Sequence, residues 1–365
     1  MVFHAPYPLD PDPTSASRLR PLRMREAFAQ IGYEVFDLSG SVRQRGGAFA
    51  ALRKRIAAGN RPAFLYSENS TQPNVLATSV RTGLAPLLDY RIMRTMHRAG
   101  VPVGVFYRDV YWRVPTAETR TPYGRIANAL QRGDLYGYRR NRVHFFLPSV
   151  PMSELVGLGP GDSFSSLPPG GEAGRALPLP DAAGGLRLVY VGGLGSHYDL
   201  TAFVAAVAAT PNVGLELVTR ASQWQAAVAQ NPVLLGDSIT VRHLSSSELE
   251  PVYARSHVGV LAVKPSKYRD IAVPVKLFEY LSFGRPVIAT CGTEAGRIID
   301  ANGAGWVVDY NPDAFAALLL HLTHAPEEVE EKAAAARAVA RESTWADRAR
   351  AVALTLTGQS PEVLT

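Results

Sequence analysis

The stretch VPVKLFEYLSFGRPVIAT, residues 273–290, reads as a short helix, a stop and a buried strand. Pro274 suits the first turn of a helix, where its missing N–H costs nothing. Lys276, Glu279 and Tyr280 then fall three and four residues apart and share a face. Leu277, Phe278 and Leu281 supply the buried side. Gly284 stops the helix, and Pro286 follows it. Val287 to Thr290 is a β-branched apolar run of strand type. A helix N-terminus with unsatisfied N–H groups draws an anion. Lys276 adds positive charge there, and Glu279 can accept hydrogen bonds from a ribose diol. The same spacing also describes an ordinary ion pair on an exposed helix, and the residues alone leave both readings open.

The chain around this stretch has 365 residues, 47% hydrophobic and 19% charged. That describes a globular protein long enough for two domains of ordinary size. No apolar run approaches the roughly 20 residues that a membrane-spanning helix needs. The opening MVFHAPYPLDPDP has no basic segment followed by an apolar one, so no signal peptide is expected. The single cysteine, Cys291, excludes an internal disulfide framework and fits a reducing cytoplasm. No Cys/His cluster has metal-ligand spacing, so no metal is expected. The net charge of +6 is uneven. Residues 1–180 hold 23 Lys+Arg against 13 Asp+Glu, a net of +10; the remainder holds 15 against 19, a net of −4. Nearly all the basic residues of the first half are arginine, which fits phosphates or an anionic surface nearby. No nucleic-acid-binding signature accompanies them. A lipid carrying diphosphate, or peripheral contact with an anionic membrane face, fits them better. Arginine bias from a GC-rich genome would give the same count.

Along the chain, strands and helices alternate. Residues 1–8, 33–38, 63–66, 101–107 and 143–148 read as strands, and 18–31, 42–58, 84–99 and 130–142 as helices. This is the opening of a doubly wound α/β unit, and residues 1–150 form the first domain. Residues 151–185, with GPGDS, LPPGGEAG and PLPDAAGG, read as an interdomain linker. A second domain, 186–340, begins with the strand 186–191. It turns at Gly192, Gly193, Leu194 and Gly195 into a helix starting near Tyr198, and continues through strands 215–219, 239–242 and 258–263 to the stretch quoted first. Residues 341–365 hold a last helix.

Open parallel sheets bind ligands at the C-terminal ends of their strands, and candidate residues follow from that. In the first domain these are Ser17 and Arg18 in the opening loop, Glu68 after the third strand, and Tyr107, Arg108, Asp109, Tyr111 and Trp112 after the fourth. Aromatic rings stack on sugar C–H groups while charged groups bond hydroxyls, although such a cluster can equally be a strand end folded into the core. In the second domain Gly192, Gly193 and Gly195 let the backbone approach a diphosphate. Tyr198 holds the position of the third glycine of a dinucleotide fingerprint, so a nicotinamide enzyme is a poor match. Arg220 and His243 follow two further strands. Lys264, Lys267 and Lys276 are three of the five lysines in the chain; the loop KPSKYRD could otherwise simply be solvated.

KLFEYLSFGRPVIAT resembles the donor-site signature of GT-B glycosyltransferases, particularly the family-four retaining group, whose pattern is a Lys-Leu-x-Glu-Tyr-Leu helix followed by Gly-x-Pro-Val-Ile. LVYVGGLGSHYDL, residues 188–200, resembles the first strand and glycine loop of their second domain, and ANGAGWVVD, residues 301–309, their closing turn and strand. The resemblance implies an α/β fold of two Rossmann-like doubly wound domains facing a cleft, with the C-terminal helix crossing back to the first. It implies a nucleotide-diphosphate sugar as co-substrate, retention at the anomeric carbon, and Glu279 on the nucleotide ribose. Three departures accompany it. The signature has a second glutamate eight residues before the one matching Glu279, where this chain has Ile271; Asp270 is one residue out of register. The glycine loop lacks the usual cations. Arg108 stands where the family often has a histidine before the aspartate matching Asp109.

Together these readings describe a cytoplasmic glycosyltransferase of the hexosyl type, acting in the synthesis of a cell-surface or extracellular glycan. Arg108, Asp109 and Lys276 form its catalytic set. Gly192, Gly193, Gly195, Lys264, Lys267, Arg220, His243 and Glu279 bind the donor. Ser17, Arg18, Glu68, Tyr107, Tyr111 and Trp112 bind a glycan or lipid-linked acceptor. A nucleotide-sugar epimerase of the same architecture and a catalytically degenerate partner subunit are the rival readings.

Overall fold

The structure, a computed structural model, describes residues 1–11, 16–77, 85–113, 121–195, 198–230 and 232–359. Among the candidate residues, the side chains of Ser17 and Tyr111 lie outside this description. The chain divides into two compact units, Met1–Pro169 with Trp345–Thr365, and Gly170–Thr344.

The first unit runs β1 (Val2–His4), α1 (Ala16–Gln30), β2 (Phe36–Leu38), α2 (Val42–Ala57), β3 (Leu65–Glu68), α3 (Leu88–Arg98), β4 (Val103–Phe106), α4 (Pro122–Arg140), β5 (His144–Leu147), α5 (Met152–Val156) and β6 (Phe164–Ser166). Among the described residues its strands form a six-stranded parallel sheet in the order β2-β1-β3-β4-β5-β6. The second unit runs β7 (Leu186–Val191), α6 (Thr201–Ala209), β8 (Val213–Val218), α7 (Ala221–Gln230), β9 (Ile239–Arg242), α8 (Glu250–Ala254), β10 (Val258–Leu261), α9 (Val275–Ser282), β11 (Val287–Thr290), α10 (Glu294–Asn302), β12 (Gly305–Val308), α11 (Pro312–Leu322) and α12 (Pro326–Arg341). Its sheet is also parallel, in the order β12-β11-β10-β7-β8-β9. The last helix, α13 (Trp345–Thr357), returns to the first unit and packs on α1 and β4. Helices cover both faces of each sheet, so β3, β4, β10 and β11 are buried along their whole length. That burial is why they read as continuous apolar runs.

The fold is the expected pair of doubly wound α/β layers, with differences in detail. The stretch 151–185 is not a bare linker. It contains α5 and β6, and β6 pairs with β5 from Phe145↔Phe164 onward. A three-residue strand within Gly, Pro and Ser is too short to show a period. The helix after the glycine loop starts at Thr201, because the Asp199 carboxylate accepts the Thr201 N–H at 2.9 Å. The basic helix of the first unit reaches back to Pro122, where the Thr121 hydroxyl accepts the Gly124 N–H at 3.0 Å.

Two arrangements hold the sheet edges in place. In the second unit α9 lies close on β10. A Cβ at Gly259 would sit 2.6 Å from the Tyr280 ring, so this approach needs glycine. The Tyr280 hydroxyl accepts the Val191 N–H at 2.8 Å, tying α9 to the end of β7. Gly284, at φ +70°, closes α9: its N–H bonds Leu281 O at 2.9 Å, and the Arg285 N–H bonds Tyr280 O at 2.9 Å. In the first unit a buried polar cluster joins two strands to two helices. The His4 ring places Nδ1 2.7 Å from the Ser67 hydroxyl and Nε2 2.9 Å from Asp89 Oδ1. Arg45 donates to both Asp89 oxygens, at 3.1 and 3.3 Å, and to Gly40 O at 2.6 Å.

Candidate active site

In a parallel sheet all the strand C-termini lie at one edge. In the second sheet β8 and β9 lie on one side of β7, and β10, β11 and β12 on the other. The switch point is therefore between β7 and β10, the place where open α/β sheets take ligands. The loop from Gly192 leaves β7 there, and the loop from Lys264 leaves β10 and leads into α9. The Lys264 N–H bonds Asp199 O at 2.9 Å and joins the two loops.

Lys276 and Glu279 stand on the first turns of α9. The Lys276 ammonium lies 2.5 Å from Glu279 Oε2, and the Tyr253 hydroxyl donates to Glu279 Oε1 at 2.7 Å. Both charged side chains are half-buried. Tyr253, from α8, is buried and stacks on Phe283 at 4.3 Å. The ion pair read from the spacing thus forms, and a buried phenol fixes its acid. An ammonium has three donors, so Lys276 can serve a second partner. Pro274 stands just outside α9 as its N-cap and offers no side-chain acceptor. Helices α2, α4, α10 and α11, by contrast, are capped by Ser41, Thr121, Thr293 and Asn311.

The other donor candidates gather at the same edge. Arg220 follows β8 and is exposed. His243 follows β9, and its Nδ1 donates to Thr219 O at 2.7 Å, which leaves Nε2 as the remaining ring nitrogen. Lys264 and Lys267 are exposed on their loop. Asp270 is held by Arg297 at 2.7 Å, and Ile271 is buried. Two residues that the sequence did not single out belong here. Arg269 is buried, with its guanidinium carbon 4.3 Å from the centre of the Tyr198 ring beside the glycine loop. Tyr253 is the other. Arg269 was visible as a third cation of KPSKYRD; nothing in the spacing marks Tyr253.

In the first sheet the switch point lies between β1 and β3. Glu68, at the end of β3, is fully buried. It accepts from Arg20 Nε at 3.1 Å and from the Tyr66 hydroxyl at 2.7 Å. Arg108 Nη2 lies 3.6 Å from the other Glu68 oxygen and donates to the Tyr7 hydroxyl at 2.7 Å, while the Arg108 N–H bonds Asn69 Oδ1 at 2.9 Å. Glu68 thus stands behind Arg108 rather than at the surface of the edge. Arg108 is half-buried at this edge, and Asp109 accepts from the Thr71 hydroxyl at 2.8 Å. Tyr107 corrects the expected sugar-binding wall. It is fully buried, edge-on to Tyr138 and Phe145. Its hydroxyl accepts from Trp112 Nε1 at 3.1 Å. Its N–H bonds Phe146 O at 2.8 Å, so β4 pairing carries Tyr107 inward. Trp112 remains half-buried, with Arg113 4.7 Å over its ring. Arg18 is exposed and paired with Asp10 at 3.1 Å; it is Arg20, two residues on, that enters the network.

Residues 185–325 match the family model described as glycosyl transferases group 1. The match covers most of the second unit. Every second-unit position named above falls inside it. No curated protein matches the chain by sequence. Among solved structures, WaaG, a glycosyltransferase involved in lipopolysaccharide biosynthesis, aligns at a TM-score of 0.63 and 15% identity, over 98% of this chain and 100% of that one. Sucrose-phosphate synthase from Thermosynechococcus elongatus aligns at 0.66 and 14%, over 97% of each chain. HepE of Anabaena in complex with UDP aligns at 0.66 and 13%, over 98% of this chain and 99% of that one. At these identities the likeness is one of fold, the GT-B fold, over nearly the whole chain, and it extends well beyond residues 185–325.

Proposed function

We propose that this glycosyltransferase moves a hexosyl group from a nucleoside-diphosphate sugar to a hydroxyl of a glycan or lipid-linked acceptor, in cell-surface or extracellular polysaccharide synthesis. The observation that carries the reading is the Lys276–Glu279 pair on the uncapped N-terminus of α9, beside the switch point between β7 and β10. The Anabaena HepE structures in complex with UDP and with UDP-glucose support it by likeness of fold.

In this reading the acceptor hydroxyl gives its proton to Asp109 as its oxygen bonds the anomeric carbon, the bond from that carbon to the β-phosphate oxygen breaks, and the diphosphate leaves with the electron pair. Retention rests on the resemblance of the α9 motif. Lys276, with Lys264 or Lys267 and the N–H groups of α9, stabilises the charge on the leaving diphosphate; such preorganised donors are usually the largest single term. Glu279 accepts from the ribose hydroxyls, and Tyr253 holds it for that task. Arg220 and His243 face the base. Arg108, Asp109 and Trp112 in the first unit meet the acceptor. The protein works in the cytoplasm.

A ligand that binds only the native state raises its melting temperature. At least one of UDP, GDP, ADP and TDP is expected to raise the melting temperature of the chain, and no shift with any of them would contradict the reading. Asp109→Asn is expected to lower turnover by roughly 10²–10⁴-fold, the range of a lost acid–base group, with nucleotide affinity nearly unchanged. Loss of nucleotide binding in that variant would reverse the roles given to the two units.

A further inference from the structure

Helix α4 buries four side chains, Gln131, Asp134, Leu135 and Tyr138, and three of them carry a polar group. Polar groups cost free energy to bury unless they are hydrogen-bonded, so their partners say what this face is for. All three bond one segment, the stretch that leaves β3 at the C-terminal edge of the first sheet. Gln131 Nε2 donates to Thr71 O at 2.9 Å. Asp134 accepts the Asn74 N–H at 2.9 Å, and Asn74 Nδ2 donates to the Tyr138 hydroxyl at 2.8 Å. At the start of the segment the Asn69 N–H bonds Phe106 O, on β4, at 3.2 Å. The stretch from Asn69 to Asn74 is thus tied to β4 at one end and to α4 at the other. Between those ties it holds the two residues that follow Tyr107. Asn69 Oδ1 accepts the Arg108 N–H at 2.9 Å, and the Thr71 hydroxyl donates to Asp109 Oδ2 at 2.8 Å. Gln131 also reaches the other way. Its Oε1 lies 3.4 Å from the Tyr107 hydroxyl, which accepts from Trp112 Nε1 at 3.1 Å. The two ends of one buried amide therefore lead to Asp109 through Thr71 and to Trp112 through Tyr107.

We infer, on the reading in which Asp109 takes the acceptor's proton, that Gln131 is a positioning residue for the transfer, acting through Thr71 on the Asp109 carboxylate and through Tyr107 on Trp112. Proton transfer needs its two heavy atoms within about 2.6–3.2 Å of each other. The Thr71 hydroxyl holds one Asp109 oxygen and so sets where the other points. A hydrogen bond to a carboxylate also favours its charged form, the form that can accept a proton. Thr71 is exposed, and the bond from Gln131 to its carbonyl fixes the backbone from which that hydroxyl projects. The amide has one orientation that serves both sides. Thr71 O can only accept, so Nε2 faces it, and Oε1 then faces the Tyr107 hydroxyl. An apolar side chain at 131 would fill this space without a polar group to bury. A buried polar network instead fixes direction, because its members rigidify one another when each is bonded.

Hydrolysis of the donor by the whole chain, with water in the acceptor's place, tests the inference; UDP-, GDP-, ADP- and TDP-glucose are the probes. Gln131→Met keeps the length of the side chain and removes both bonds. It is expected to lower kcat by roughly 10- to 100-fold, the scale of a displacement of about 1 Å, with the donor KM nearly unchanged. Thr71→Val should lower kcat likewise and move the acid limb of its pH profile to higher pH, because Asp109 loses a bond to its charged form. Thr71→Ser keeps the hydroxyl and should restore both. In an Asp109→Asn background neither Gln131→Met nor Thr71→Val should slow the reaction further. Wild-type rates in Gln131→Met and Thr71→Val beside a slow Asp109→Asn would overturn the inference alone. So would full further losses in the Asp109→Asn background, which mark a merely structural role. Wild-type rates in Asp109→Asn would overturn the reading of Asp109 as proton acceptor, and the inference with it. Hydrogen exchange adds a measurement that needs no turnover. Gln131→Met is expected to speed exchange of the Asn74 and Arg108 N–H groups roughly tenfold or more and to leave β5 unchanged. Unchanged exchange at both groups, or a uniform rise across the first sheet, would overturn the inference.

Discussion

Asp89→Ala is expected to destabilise the first unit by about 3–5 kcal/mol, the cost of breaking a buried ion pair. Asp89 and Arg45 are both essentially inaccessible. Removing the carboxylate leaves the Arg45 guanidinium buried with, among the described residues, only Gly40 O as a partner, and it removes the acceptor of His4 Nε2. The cluster ties β1 and β3 to α2 and α3, so the loss reaches the sheet edge that carries Glu68 and Arg108. Burial pushes the Asp89 carboxyl upward, but the hydrogen bond from His4 and the charges of His4 and Arg45 outweigh it and hold the group below its ordinary value. A lowered carboxyl pKa contributes stability that is present above the unfolded-state value and is lost as pH falls through the folded-state value. Denaturant unfolding of wild type and variant should therefore differ most near neutral pH, begin to converge as pH falls below about 4, the unfolded-state carboxylate range, and converge further only below the lowered folded-state value. A difference under about 1 kcal/mol at pH 7, the scale of an exposed pair, would mean that the cluster does not hold the fold.

Glu279→Ala is expected to weaken nucleotide-sugar binding by about 1.5–3 kcal/mol, the worth of a hydrogen bond to a charged group, or roughly 10- to 150-fold. The side chain is half-buried on the helix surface, so the second unit keeps its fold. The variant also frees the buried Tyr253 hydroxyl. Tyr253→Phe separates the two effects, because it removes the orienting bond but keeps the carboxylate and should cost clearly less. Unchanged affinity and turnover in a well-folded Glu279→Ala protein would leave the glutamate as half of a surface ion pair.

How much of this could be read beforehand depended on range. The span from α9 to β11 was legible because its signals are local: a proline, helical spacing, a glycine that must adopt positive φ, and a β-branched run. The layered α/β fold followed from the same alternation. β6 was hidden, since three residues at a sheet edge show no period. Tyr107 was misread as part of a binding wall because nothing local says that it pairs with β5 and turns its ring toward Tyr138. Arg20 was passed over for Arg18, although only Arg20 enters the network with Glu68. The Arg45–Asp89 pair spans 44 residues and the Tyr253–Glu279 bond 26, so their partners become visible only when the sheets bring them together.

In the proposed reaction Lys276, at the N-terminus of α9, meets the diphosphate of a nucleotide sugar. Isothermal titration of wild type and Lys276→Ala with a nucleoside diphosphate that stabilises the chain, and with its parent nucleoside, tests it most directly. Only the diphosphate carries the charge that Lys276 would answer. The variant is expected to lose roughly tenfold or more in affinity for the diphosphate, the scale of one charge-assisted hydrogen bond, and little for the nucleoside. Equal losses for the two ligands, or no loss for either, would contradict it.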